Sequence, residues 1–222
     1  MKLNEVLPFW SGLTKQQQDL LAQTVTIQRV SEGTLVHNGT EDCVGLLIVL
    51  RGRLRAYILS EEGREITLYR LLERDLCLFS ASCMMKSIQF DISVEAETDT
   101  EFYHIPVDVY QTLMKQSAQV ANYTNEVMAA RFSDVMWLLD QILYKRIDAR
   151  LAAFLLEEES LSQKDEIKIT HEAIARNLGS AREVITRILK YLQNDGLVTV
   201  SRGSIKILDE QGLRRLAGDS IR

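Results

Sequence analysis

Between Ser117 and Tyr144 the chain has neither glycine nor proline, and Met128, Phe132, Val135, Leu139 and Ile142 recur at spacings of 4, 3, 4 and 3. A run of this kind reads as one long helix with an apolar seam suited to pairing with another helix. Packing on its own domain is the plainer reading of the same periodicity. The helix is too long to be covered by one small β domain, however, so the seam predicts a homodimer. It also predicts three segments: residues 1–116, the helix at 117–145, and residues 146–222.

The first segment changes character after a short helix at about Thr14 to Thr24. From Val25 to Ile105 it is rich in β-branched and aromatic residues and is broken at Glu32-Gly33, Asn38-Gly39, Arg51-Gly52 and Glu62-Gly63. That pattern predicts consecutive short antiparallel strands. Arg53 to Leu59 and Glu65 to Leu71 flank one hairpin turn, and a β-roll or barrel with jelly-roll character is the natural package. Pro106 closes the strands and can open a helix, where its missing N–H costs nothing. The longest apolar run, Val44 to Leu50, is far short of the ~20 residues a membrane span needs. Met1 is followed by no basic-then-apolar leader, so no membrane partner and a cytoplasmic location are expected. Three cysteines without a close CxxC pair fit a reducing compartment and give no zinc ribbon.

The third segment reads helix (about Asp148 to Glu159), polar stretch (Glu157 to Lys168), helix, turn, longer helix, hairpin. Ala175, Gly179 and Ile185 stand at A-x3-G-x5-I spacing. Two helices crossing steeply need a small residue at the crossing, a glycine in the turn and a β-branched residue where the second helix packs back. An ordinary αα-hairpin shares that spacing. Val198 to Ser201 and Ser204 to Leu208 flank Arg202-Gly203 as a wing, which favours a winged helix-turn-helix. The net charge of -5 disfavours nucleic acid as a partner for the whole surface. Locally it reverses: between Arg176 and Lys206, six basic side chains stand against Glu183 and Asp195. A basic patch on an acidic body suits a protein that touches double-stranded DNA with one small face. Arg182, Glu183, Thr186 and Arg187 would reach base edges, while Thr170, His171, Ser180, Ser201 and Arg202 flank them.

Ile169-Thr170-His171-Glu172 through Gly179-Ser180-Ala181-Arg182-Glu183-Val184-Ile185-Thr186-Arg187, ending in Asp195-Gly196-Leu197-Val198, resembles the helix-turn-helix of the cyclic-AMP receptor protein and fumarate-nitrate regulator (Crp/Fnr) superfamily. Ile48-Val49-Leu50-Arg51-Gly52 through Glu62-Gly63-Arg64-Glu65-Ile66 is similar to its cyclic-nucleotide-binding β-roll. The resemblance implies an α+β chain: an effector-sensing roll, a dimerisation helix and a DNA-binding winged helix-turn-helix. It also implies a homodimer reading an inverted repeat, with RNA polymerase as a further partner and the polar segment from Glu157 to Lys168 as a candidate contact. In the receptor-protein branch an Arg-Glu pair followed four residues later by Arg reads a TGTGA-like half-site, and Arg182, Glu183 and Arg187 occupy those places.

The ligand pattern departs from that branch. Gln89-Phe90 stands where cyclic-nucleotide binders carry Arg-Ser for the phosphate, Leu76-Cys77-Leu78-Phe79 where they carry Gly-Glu, and Val135-Met136 where a Thr-Ser faces the base. A buried phosphate without an arginine partner is costly, so the expected effector is an unidentified small molecule other than cyclic AMP. Leu78, Phe79, Gln89, Phe90, Val135 and Met136 are candidate lining residues, though most would serve equally as core. Cys77 and Cys83, at C-x5-C spacing, are candidate redox groups; buried thiols are ordinarily inert. No cofactor, metal ligand or catalytic residue is expected: the first cysteine is Cys43, which removes the iron-sulfur branch's N-terminal cluster, and His37 and His104 lack partner motifs. No nucleophile elbow, HExxH or phosphate loop points to an enzyme. The rival to an effector-responsive regulator is a small-molecule or redox sensor, or a scaffold, that has lost sequence-specific DNA binding. If Gln89-Phe90 removes the phosphate site, calorimetry will register no cyclic-AMP binding at millimolar ligand, and a micromolar Kd would defeat the reading.

Overall fold

The computed structural model describes residues 2–39, 44–84, 91–162 and 166–221, with the side chains of residues 82–84 left aside. The first part opens with helices α1 (Leu3–Val6) and α2 (Lys15–Thr24). Strands β1 (Thr26–Val30), β2 (Leu35–Asn38), β3 (Leu46–Arg51), β4 (Leu54–Leu59), β5 (Glu65–Leu71), β6 (Leu76–Cys77), β7 (Ser93–Ala96) and β8 (Thr100–Ile105) follow. They form two four-stranded sheets, in the orders β1-β8-β3-β6 and β2-β7-β4-β5.

The apolar run in β3 has a structural reason. Leu46, Ile48 and Leu50 face a layer built with Leu21 of α2 and with Val109, Tyr110 and Leu113 of α3 (Val107–Gln116). Leu47 and Val49 point the other way, into a cluster with Leu54, Ala56, Tyr69, Leu71, Val94, Ala96 and Phe102. A strand covered on both faces is apolar at every position, because the alternation of its side chains meets a core on either side. Between β3 and β4, Gly52 has φ +93° and a Cβ there would lie 2.4 Å from the Asp99 carbonyl oxygen. Only glycine fits that turn.

The faces of β4 and β7 that look away from this cluster carry charge at the same period of two. Arg55 lies directly opposite Glu95 across the strands and meets it at 3.2 Å with 2% of its side chain exposed. Glu97 pairs with both Arg53 and Arg70 at 2.8 Å. Buried guanidinium groups are tolerated here because each has a carboxylate partner. The sequence-predicted helix after Pro106 is α3, with Pro106 at its N-cap.

The long helix is α4 (Ala118–Tyr144). Thr124 donates to the Val120 carbonyl oxygen at 2.8 Å, so its oxygen is left to accept from the Tyr110 hydroxyl at 2.8 Å. That bond ties α4 to α3, and burial pushes the Tyr110 phenol up to about 12. The chain divides into two compact units, residues 1–59 with 68–135 and residues 60–67 with 136–222. The boundary between the units falls within α4, after Val135. No described helix is long and apolar enough to cross a membrane.

The second unit holds α5 (Ile147–Ser162), α6 (His171–Leu178), α7 (Arg182–Asn194), β9 (Val198–Ser201), β10 (Ser204–Ile207) and α8 (Glu210–Ala217). Leu151, Leu155, Ile174, Ile185, Leu189, Val198, Ile205 and Leu213 form its core. The polar stretch predicted from Glu157 is helical as far as Ser162. Glu-Glu-Glu-Ser-Leu-Ser contains no breaker, so α5 simply continues. Ile167 exchanges two backbone hydrogen bonds with Ile205, at 2.8 and 2.9 Å, and so extends the β9–β10 hairpin by one pairing. Helix α8 was outside the sequence expectation. Asp209 caps it by accepting from the Gly212 N–H at 2.8 Å.

Phe102 is fully buried in the space between the two sheets. Phe102→Ala should cost about 3–5 kcal/mol in urea unfolding, whereas Leu35→Ala, at a site 48% exposed, should stay within about 0.5 kcal/mol.

Candidate nucleic-acid interface

The crossing of α6 and α7 sets every exposed side chain of the motif. Thr170 caps α6, its hydroxyl oxygen accepting from the Ala173 N–H at 3.1 Å. Gly179 ends α6 in the left-handed region at φ +64°, and the Ser180 N–H returns to the Ala175 carbonyl oxygen at 3.0 Å. At the same end Arg150 of α5 donates to the Leu178 carbonyl oxygen at 2.8 Å, which satisfies one of the carbonyls that a helix C-terminus leaves without a partner. Burial lowers the Arg150 pKa.

Ala175 is buried, and α7 turns Ile185, Ile188, Leu189 and Leu192 toward the core. The opposite face is thereby fixed: Arg182, Glu183, Thr186, Arg187 and Lys190 are all exposed. Among the described residues, Arg182, Arg187, Lys190 and Arg202 form no ion pair, so their charges are available to a phosphate or a base edge. Lys190 extends the sequence-predicted set. It lies four residues from Thr186 and three from Arg187, a helical spacing already visible in the sequence.

Thr186 differs from its neighbours. Its hydroxyl donates to the Arg182 carbonyl oxygen at 2.9 Å and also meets Nδ1 of His171 at 2.9 Å. Burial first, and the Arg182 charge second, hold the His171 imidazole below its ordinary value. The sequence gives no sign of this bond, since fifteen residues separate the partners.

The wing lies at β9–β10, with Ser201 and Arg202 exposed at its turn and Gly203 at φ +78°. Gln193 fastens it to α7 by accepting from the Val200 N–H at 2.9 Å. Thr170, His171, Arg182, Glu183, Thr186, Arg187, Ser201 and Arg202 are thus exposed or half-buried in one unit, and Ser180 is half-buried in the turn.

The other candidate residues are scattered. Leu78 is buried in the layer shared with α2 and α3, whereas Phe79 is buried between the sheets. The two side chains pack into different clusters and do not line one space. Val135 is half-buried and Met136 is 46% exposed. Gln89 and Phe90 lie outside the described residues, as does the side chain of Cys83. Cys77 is fully buried and its thiol is pushed up by burial, the setting of an inert thiol and not of a reactive thiolate.

A polar group that sequence reasoning missed sits beside Phe79. Arg131 of α4 stacks 4.5 Å from the centre of the Tyr69 ring and pairs with Asp134 at 3.0 Å and Asp75 at 3.6 Å. The Tyr69 hydroxyl is buried without a hydrogen-bond partner among the described residues. Of the seam residues, Met128 packs on the core of its own unit. Phe132, Leu139 and Ile142 are 67%, 44% and 42% exposed.

Comparison with known proteins bears on both units. The Crp-like helix-turn-helix domain family matches residues 149–216 and the cyclic nucleotide-binding domain family matches residues 27–117. A solved structure from Eubacterium rectale, described as a transcriptional regulator of the Crp/Fnr family, is 56% identical over 96% of this chain and 99% of that chain, with a TM-score of 0.93. The transcriptional regulator SdrP of Thermus thermophilus is 29% identical over 76% of this chain and 82% of its own. The cAMP-activated global transcriptional regulator of Salmonella typhimurium is 25% identical over 80% and 86%. With this winged helix-turn-helix and this roll, the chain belongs to the Crp/Fnr family of DNA-binding transcription regulators.

Proposed function

We propose that the protein is an effector-responsive regulator that binds an inverted-repeat promoter site as a homodimer. The observation that carries the DNA-reading part is the strip of Arg182, Glu183, Thr186 and Arg187, exposed on one face of α7 above a packed apolar face. Arg182 and Arg187 are suited to bidentate contact with guanine, and Glu183 to accepting from cytosine N4. Arg202 on the wing turn is suited to phosphate.

Dimerisation is supported by α4. Phe132, Met136, Leu139 and Leu143 are exposed at spacings of 4, 3 and 4, a seam that a second copy of the same helix would cover. Phe132 and Leu139 belong to the sequence-predicted seam, and Met136 and Leu143 extend it on the side turned away from the core.

For the effector, the Tyr69 hydroxyl, buried without a partner among the described residues, supports a small molecule with a polar group, and Gln89-Phe90 in place of an Arg-Ser pair supports one other than cyclic AMP. RNA polymerase is a further partner in this reading, with the polar end of α5 and the segment up to Lys168 as the contact; residues 163–165 of it lie outside the described residues.

Leu139→Glu would bury a charge at the seam, so dimerisation should weaken by several kcal/mol in sedimentation. A compact wild-type monomer would overturn the seam. Selection from random DNA should return an inverted repeat with half-sites about 10–10.5 base pairs apart. Arg182→Ala or Arg187→Ala should cost about 1–3 kcal/mol and relax one base position, whereas Arg202→Ala should weaken all sequences alike and flatten the salt dependence by about one unit of slope. A direct repeat or no consensus would refute this reading of DNA, and no shift of random DNA at low salt would favour a sensor that has lost it.

A further inference from the structure

The bond between His171 and Thr186 has a defined proton inventory. A threonine hydroxyl carries one hydrogen, and that of Thr186 is directed to the Arg182 carbonyl oxygen at 2.9 Å. The Thr186 oxygen can therefore only accept from Nδ1 of His171, also at 2.9 Å, which makes Nδ1 the N–H of the neutral ring. Nε2 then carries the lone pair, and among the described residues it has no partner. The ring is half-buried, so this edge borders solvent beside the exposed Arg182.

A neutral ring presented in this way offers an acceptor. Facing a phosphate oxygen, which is also an acceptor, it would be repelled until Nε2 takes a proton. We propose that His171 takes up a proton when the helix-turn-helix engages DNA, with Nε2–H donating to a backbone phosphate while Nδ1–H keeps Thr186 in place. Affinity for DNA then rises as the solution becomes more acidic. The inference rests on the DNA-binding reading above and adds a proton to it.

The surrounding charges are mixed in sign, and the two influences that shift the free ring, burial and Arg182 at the start of α7, both act against its charged form. Thr186 on the same helix is neutral, Glu183 follows Arg182 there, and Glu172 is the neighbour of His171 on α6. A phosphate at Arg182 offsets that repulsion and adds an attraction of its own, so the ring is more basic on DNA than off it. A group whose pKa rises on binding contributes affinity that grows as pH falls through the window between its two values. Two protomers would take up as many as two protons per site.

The test measures binding of a labelled duplex bearing inverted TGTGA half-sites by fluorescence anisotropy, at fixed ionic strength from about pH 5.5 to 8. The wild type is compared with His171→Asn, whose amide can replace the Nδ1 donor to Thr186 but has no second nitrogen to protonate. Wild-type Kd should tighten roughly tenfold or more toward the acid end, since one proton taken up gives about a factor of ten per pH unit. His171→Asn should lack that part of the slope, whatever its affinity at the alkaline end. In parallel, the imidazole resonances of the three histidines should show one midpoint, absent in His171→Asn, that moves upward when DNA is added. Parallel pH profiles for the two proteins, or a His171 midpoint that stays or falls on adding DNA, would overturn the proton uptake while leaving DNA binding intact. Absence of binding at every pH would overturn the DNA-binding reading, and this inference with it.

Discussion

The close crossing of α6 and α7 is the constraint on which the interface depends. Ala175 is small enough to sit buried between the helices, and Gly179 reverses the chain at a positive φ that other residues adopt only with strain. Once the crossing is fixed, Ile185, Ile188 and Leu189 can only face the core, and the charged residues between them have one direction left. The basic strip is thus a geometric result of how the apolar residues pack. The wing follows from the same core, since Val198 and Ile205 are buried in it while Arg202 stays outside.

In the first unit, burial of both faces of β3 plays the corresponding part. One face is covered by helices and the other by the second sheet, so the roll is a stack of three layers with two apolar interfaces. Charge in this unit lies away from those interfaces, in Arg55 with Glu95 and in Glu97 with Arg53 and Arg70. The Arg131 group beside Tyr69 is different in kind. It leaves a buried hydroxyl without a partner among the described residues, and such a group costs free energy unless something meets it.

Much of this was legible in the sequence because it depends on local periodicity. The glycine-free run became α4, the Ala-Gly-Ile spacing became the crossing, and Arg202-Gly203 became the wing turn. What escaped depends on distance in sequence or on weak local signals. Helix α8 places only a few apolar residues, Leu213, Leu216 and Ala217, on one face of a polar segment. Strand β6 has two residues and exists because β3 offers it a ladder. Arg131 reads as an ordinary helical charge until folding brings β5 beneath it. Leu78 and Phe79 read as partners in one lining, yet they pack into separate layers. The His171–Thr186 bond joins two unremarkable residues that meet only when the helices cross.

That bond bears on how recognition by this chain could be altered. Arg182, Glu183 and Arg187 contribute their side chains to solvent and little to the core, so exchanging them changes what is read while the fold persists. Thr186 is held at both ends, by a carbonyl of its own helix and by an imidazole of the other. Drift in DNA preference is therefore cheap at three positions of the strip and coupled at the fourth, where a new residue at 186 requires a matching change at 171. A pair that must change together is a barrier in sequence space, and it separates families of sites that the other positions alone would let merge.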